Sequence, residues 1–99
     1  MKLRLDPAAL EELLNAEEYT TMEFGEVVAT SFRLSVASAL EEISEYPNRY
    51  KKVRNGIRAK VLNPYPFSIY YEEIDHTVRV YAIAHSKRKP FYWRNRSKI

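Results

Sequence analysis

The hydrophobic period of this chain changes once, at Gly56, and that change limits what each side can become. Before it, Val28, Phe32, Val36, Leu40 and Ile43 recur every three or four residues, the spacing of one helix face, with Ala29, Ala37 and Ala39 beside them to allow close packing. After it, apolar residues alternate in three runs, 57–62, 67–73 and 77–85, the pattern of strands with one covered face. A chain of 99 residues with a helical half and a strand half has room for one modest core. The expected class is therefore α+β, in a single domain spanning 1–99.

The ends of the elements are written in particular residues. Leu3 and Leu5 alternate with Lys2 and Arg4, which predicts a short first strand. Asp6 is a good N-cap and Pro7 suits the first helical position, so a first helix opens there. Leu10, Leu13 and Leu14 form its expected apolar stripe, and it is expected to end near Tyr19, where Thr20 and Thr21 weaken it. Its remaining face, with Glu11 and Glu12 near the positive end of the helix dipole, reads as acidic and solvated. The second helix stops near Tyr46 because Pro47 cannot continue it. Few residues separate the two helices, so they should form an antiparallel hairpin. Residues 47–56 read as a basic connection carrying Lys51, Lys52 and Arg54.

The strands that follow are short-looped and read as an antiparallel meander. A two-residue turn at Asp75-His76 sets Ile74 opposite Thr77, and so Glu72 opposite Arg79, Tyr70 opposite Tyr81 and Ser68 opposite Ile83. Phe67, Ile69, Tyr71, Val78, Val80, Ala82 and Ala84 then share the face that packs on the helices. Placing Ile57, Ala59 and Val61 there too requires an extra residue or bulge at Asn63-Pro64-Tyr65-Pro66. The opposite face is expected to lie open, with Arg58, Lys60, Ser68, Tyr70, Glu72, Arg79, Tyr81, Ile83 and His85. Beyond it lies a basic tail, 87–98, with Phe91, Tyr92 and Trp93 interleaved. For Trp93, with Pro90 and Phe91, packing is the expected role; for His85, a hydrogen bond between the strand end and the tail.

Charge is segregated more sharply than the net +3 suggests. Residues 1–46 hold three Lys/Arg against ten Asp/Glu, a balance of −7, whereas 47–99 hold thirteen against three, or +10. A basic surface of that density attracts phosphate backbones or acidic protein segments by its long-range field. There is no cysteine, which excludes disulfides, thiolate metal sites and a cysteine nucleophile and suits a reducing compartment, the cytoplasm by default. No apolar run approaches the roughly 20 residues of a membrane-spanning helix, and 1–7 lack the pattern of a signal peptide. No cofactor, metal or membrane partner is expected.

Several local sequences carry a resemblance. Glu41-Glu42-Ile43-Ser44-Glu45-Tyr46-Pro47 closes the second helix, Gly56-Ile57-Arg58 enters the next strand, and Tyr65-Pro66-Phe67-Ser68-Ile69-Tyr70-Tyr71 forms the following one. Val78-Arg79-Val80 is followed by Ala84-His85-Ser86-Lys87-Arg88-Lys89-Pro90 and Trp93. In these, and in the order strand, helical hairpin, meander and basic tail, the chain resembles the RelE/ParE superfamily of bacterial type II toxins, the ParE-like or plasmid-stabilisation branch most of all. The resemblance implies a bacterial, cytoplasmic toxin neutralised by a cognate antitoxin in a hetero-oligomer. It implies two possible targets: ParE-like members inhibit DNA gyrase without known catalysis, and RelE-like members cut mRNA on the ribosome. On the first reading Arg58, Lys60, Tyr70, Arg79, Tyr81, His85, Lys87, Arg88, Trp93 and Arg94 would bind target or antitoxin. On the second His85 would be the acid or base of a metal-free endoribonuclease, with Lys60 and Arg88 on phosphate and Tyr92 stacking or lending a phenol. A non-toxic RNA-binding domain, stacking bases on Tyr70 and Tyr81, is a third reading.

Overall fold

In the computed structural model, which describes residues 1–97, the order is β1 (Lys2–Leu5), α1 (Pro7–Phe24), α2 (Glu26–Glu45), β2 (Lys52–Arg54), β3 (Ile57–Val61), β4 (Phe67–Ile74), β5 (Thr77–His85) and a 3₁₀ turn, Arg94–Ser97. Lys98, the last residue of the expected basic tail, lies outside the described residues. The α+β class and its hairpin of helices hold.

Asp6 caps α1 by accepting a hydrogen bond from the Ala8 N–H at 2.8 Å. The helix runs five residues past Tyr19, because Thr20 and Thr21 donate their hydroxyls to the carbonyls of Ala16 and Glu17 and so satisfy themselves inside it. Its buried stripe is Ala9, Ala16 and Thr20 with Leu13 beside them, whereas Leu10 and Leu14 stand 47% and 54% exposed. The expected leucine stripe is thus corrected by one position: the alanine face lets the helix lie close on the sheet. α2 buries Ala29, Phe32, Val36, Ala39 and Ile43, with Leu40 partly covered. Gly25 alone joins the helices, its N–H donating to the Thr21 carbonyl and its own carbonyl accepting from Ala29.

One five-stranded sheet receives this hairpin, in the order β1-β5-β4-β3-β2. It is antiparallel except at β1, which pairs in parallel with β5. β2 falls in the stretch expected to be a connection. Its hairpin with β3 turns on Asn55 and Gly56, both at positive φ (44° and 85°), as the Asn-Gly dipeptide favours.

The β4–β5 register is as expected from Ile74↔Thr77 to Tyr71↔Val80, and then shifts. Tyr81 is an extra residue, so Tyr70 pairs with Ala82, Ile69 with Ile83 and Phe67 with His85. The shift moves Ile83 to the helix side, where it joins Ile69, Tyr71, Val78 and Val80 in the main core. Ala82 and Ala84 move to the outer side with Tyr81. The bulge expected in 63–66 is absent, since the Leu62 N–H donates to the Phe67 carbonyl and Val61 pairs with Ser68. Arg58 and Lys60 are therefore register partners of Tyr71 and Ile69, on the helix side, while Ile57 packs on the outer side. Of the expected open face, Ser68, Tyr70, Glu72, Arg79 and Tyr81 keep their side; Arg58, Lys60, Ile83 and His85 do not.

Gly25 sits at φ 88°, ψ 175°, a conformation that side chains resist even where, as here, no atom lies within 4 Å of an added Cβ. Gly25→Ala should lower the unfolding free energy by about 1–3 kcal/mol. Urea denaturation is the measurement, and an unchanged midpoint would show that the joint relaxes without strain.

Candidate functional site

The outer face of the sheet is not open. The tail folds over it, placing Trp93 at 1% exposure with its ring stacked on Tyr70 at 4.7 Å and Phe91 edge-on to it at 5.7 Å. Ile57, Tyr81, Ala82 and Ala84 complete this second, smaller core. Packing is thus the role of Trp93, and Tyr70 is unavailable as a free stacking platform. Tyr81 is likewise buried, its hydroxyl donating to Glu72 at 3.0 Å.

What holds the tail is an acidic residue that reads in the sequence as a solvated helix face. Glu12 accepts three partners: the Ile83 N–H at 3.0 Å, the Tyr92 hydroxyl at 2.5 Å and Arg96 Nη1 at 3.0 Å. β1 ends at Leu5, so the edge of β5 beyond Val80 has no strand beside it. Glu12 takes the exposed N–H there, and Arg96 takes the Tyr81 carbonyl at 3.0 Å. The Tyr92 ring carries Arg88 at 3.8 Å and Arg96 at 5.1 Å. One of the tail's three aromatics and two of its arginines therefore serve this clasp. No pattern in the sequence singles out Glu12 or Arg96, which stand 84 residues apart.

A second polar cluster forms where the end of α2 meets β3. Glu42 contacts Arg49 at 2.5 Å, accepts the Tyr50 hydroxyl and lies 3.6 Å from Lys60. The Tyr50 hydrogen bond first, with Arg49 and Lys60 adding, holds its carboxyl below the usual range against the opposing effect of burial. Lys60 also lies 4.6 Å from the Tyr50 ring centre, and Arg58 donates to the Tyr50 carbonyl at 2.7 Å.

The residues of the nuclease reading are partly gathered. His85, Arg88 and Tyr92 line one cavity of about 290 Å³ against α1, together with Glu12. Lys60 is not among them, and faces Glu42 instead. His85 Nδ1 accepts the Lys87 N–H at 3.0 Å, the expected strand-end bond to the tail, and its ring meets Phe67 edge-on at 5.1 Å. The Tyr92 phenol is raised well above its ordinary value, by burial first and then by its bond to Glu12. Arg79 remains on the outer face, and Lys87 and Arg94 stand exposed.

Two further surfaces are prominent. At the hairpin tip, Tyr19, Phe24, Val28, Tyr65, Phe67 and His85 line an apolar cavity of about 250 Å³. Phe24, which lines it, is 64% exposed, and Met22 (77%) and Val27 (84%) are exposed within three residues of the Gly25 joint. The other surface is cationic: Lys51, Lys52, Arg54, Lys87, Arg88, Lys89 and Arg94 are all exposed, and Arg54 and Arg94 line one cavity together with Glu72 and Trp93. Among the described residues no group of three His, Asp or Glu is placed to hold a metal ion, and no helix is long and apolar enough to cross a membrane.

Residues 3–90 match the family described as ParE toxin of type II toxin-antitoxin system, parDE. No curated protein matches the sequence. Among solved structures, the chromosomal ParDE toxin-antitoxin system from P. aeruginosa shares the fold with a TM-score of 0.75, at 16% identity over 86% of this chain and 95% of that one.

Glu12→Ala should free the tail, lowering stability by about 3 kcal/mol and red-shifting the emission of Trp93, the single tryptophan, while far-UV circular dichroism is kept. An unshifted emission would show that ring packing alone holds the tail. A pH dependence also follows. Tyr81 is pushed up from 10.0 to about 12 by burial and by Glu72, and Tyr92 is raised by the same kinds of cause. A folded pKa above the unfolded one means the stabilisation is complete below pH 10 and is lost as pH rises toward about 12. Urea midpoints should fall across that window, and less steeply in Tyr81→Phe and Tyr92→Phe; equal slopes would remove the linkage.

Proposed function

Since the chain belongs to the ParE toxin family of type II toxin-antitoxin systems, we propose that it binds and inhibits DNA gyrase and is neutralised by a cognate antitoxin. The observation that carries this reading is the engagement of the groups that chemistry would need. Lys60 is held by Glu42 and Tyr50, the Tyr92 phenol by Glu12, and His85 Nδ1 by the tail backbone. What the molecule presents to its surroundings is binding surface: an apolar hairpin tip and a separate cationic rim.

The apolar tip is the antitoxin dock. Its cavity and the exposed Met22, Phe24 and Val27 suit the i, i+3, i+4 anchors of an amphipathic helix, and a toxin whose partner is another protein has reason to expose them. The cationic rim, Arg54, Lys87, Lys89 and Arg94, is the target surface, since exposed charges speed encounter with an acidic partner or its DNA. The chain works in the bacterial cytoplasm on this reading, and the complex it forms there is a toxin-antitoxin hetero-oligomer.

One observation favours the ribosome-dependent mRNA endoribonuclease as a second reading: Glu12, His85, Arg88 and Tyr92 converge on one cavity. Induction of the chain without antitoxin separates the two. Altered plasmid supercoiling with intact mRNA is the expected outcome; new mRNA 5′ ends within codons, abolished by His85→Ala, would replace it by the nuclease. In the same assay Met22→Glu with Val27→Glu should preserve growth arrest and abolish rescue by the antitoxin, because a charge in an apolar contact costs several kcal/mol. Rescue that persists would place the antitoxin on another face.

A further inference from the structure

Arg4 of β1 and Arg79 of β5 are register partners across the parallel pair, on the side opposite Leu5 and Val80. Adjacent strands lie about 4.8 Å apart, so two arginine side chains leave the same face from neighbouring strands. With Asp6, Tyr81 and Arg96 they line a cavity of about 240 Å³.

The carboxylates nearby leave these cations uncompensated. Glu72, cross-strand from Arg79, accepts the Tyr81 hydroxyl at 3.0 Å and forms no ion pair with Arg79 among the described residues. Asp6 Oδ1 caps the Ala8 N–H, and Arg96 is paired with Glu12. The lining itself holds three arginines against the single carboxylate of Asp6, beside the positive end of the α1 dipole; Glu12 and Glu72 lie outside it. Arg79 Nε is buried and has no hydrogen-bond partner among the described residues. An unsatisfied buried donor costs about 1–3 kcal/mol, and like charges on adjacent strands add repulsion. An anion between the two side chains offsets the repulsion.

We propose that this cavity is an oxyanion site for one phosphate group, held by Arg4 and Arg79. A carboxylate presents two oxygens in one plane, the geometry that a single guanidinium fork matches. Two forks on neighbouring strands can share the further oxygens of a tetrahedral anion, and the cavity has room for it. A backbone phosphodiester and inorganic phosphate both present such oxygens. The site stands apart from the hairpin-tip dock and the cationic rim, and needs neither gyrase nor antitoxin.

The test is calorimetric titration of the full-length chain, at fixed ionic strength, with inorganic phosphate, with thymidylyl-thymidine as a phosphodiester, and with acetate. Saturable binding of phosphate or of the diester, with acetate inert, is expected. Tight binding of the diester assigns the site to nucleic-acid backbone; binding of inorganic phosphate alone assigns it to the free ion. Arg4→Gln and Arg79→Gln should each weaken binding about tenfold, the loss of one charge-assisted contact, and Lys51→Gln should leave it unchanged. Arg4 is exposed on an outer strand, so Arg4→Gln tests the site even if Arg79→Gln unfolds. Acetate binding as tightly as phosphate, no binding of either phosphate probe, or wild-type affinity in Arg4→Gln would overturn the assignment.

Discussion

A single extra residue, Tyr81, sets the arrangement of everything beyond the middle of β5. Side chains alternate across a sheet with a period of two, so one inserted residue exchanges the two faces for the rest of the strand. Here the exchange turns Ile83 and His85 toward the helices and Ala82 and Ala84 away from them. The small alanines then leave room on the outer face, which Trp93 fills by lying on Tyr70. Without the bulge, two bulkier residues would stand where the tail packs.

The short reach of β1 explains why α1 carries a partly buried glutamate. β1 covers β5 only as far as Val80, and past that point the β5 edge offers unpaired backbone groups. An unpaired edge is costly when buried and hazardous when exposed. Glu12 and Arg96 close it from opposite ends of the chain, one taking an N–H and the other a carbonyl, and their mutual ion pair at 3.0 Å fixes the tail. A charged pair this poorly solvated stabilises only when its remaining hydrogen-bonding capacity is used, and Tyr92 uses it. The clasp thus draws its strength from being complete.

This division of labour separates the functional surfaces. The sheet, which offers a basic and aromatic platform on paper, is closed by its own tail. The accessible chemistry moves to the periphery: apolar residues at the hairpin tip, cations along β2 and the turn after β5, and the paired arginines between β1 and β5. The tail's closure of the sheet thus leaves three exposed surfaces of different chemistry on one small fold.

The class, the order of every element but β2, the start of α1 and the end of α2 were legible in the sequence because they rest on local chemistry. Periodicity distinguishes helix from strand, Asp6-Pro7 starts one helix, Pro47 ends the other, and Asp75-His76 sets the first half of the β4–β5 register. The Asn55-Gly56 turn was equally local and marked β2, a signal outweighed by the basic composition around it. The family resemblance, too, was carried by short local motifs that, Trp93 apart, lie within the residues that the family match spans. Only the tertiary structure decided the site. Whether Leu10 or Ala9 faces the sheet, whether Tyr81 bulges, and whether Glu12 meets Arg96 depend on how elements far apart in sequence pack together. A strand's alternation specifies two faces but not where an inserted residue exchanges them, and that exchange determined where His85, Lys60 and Trp93 stand.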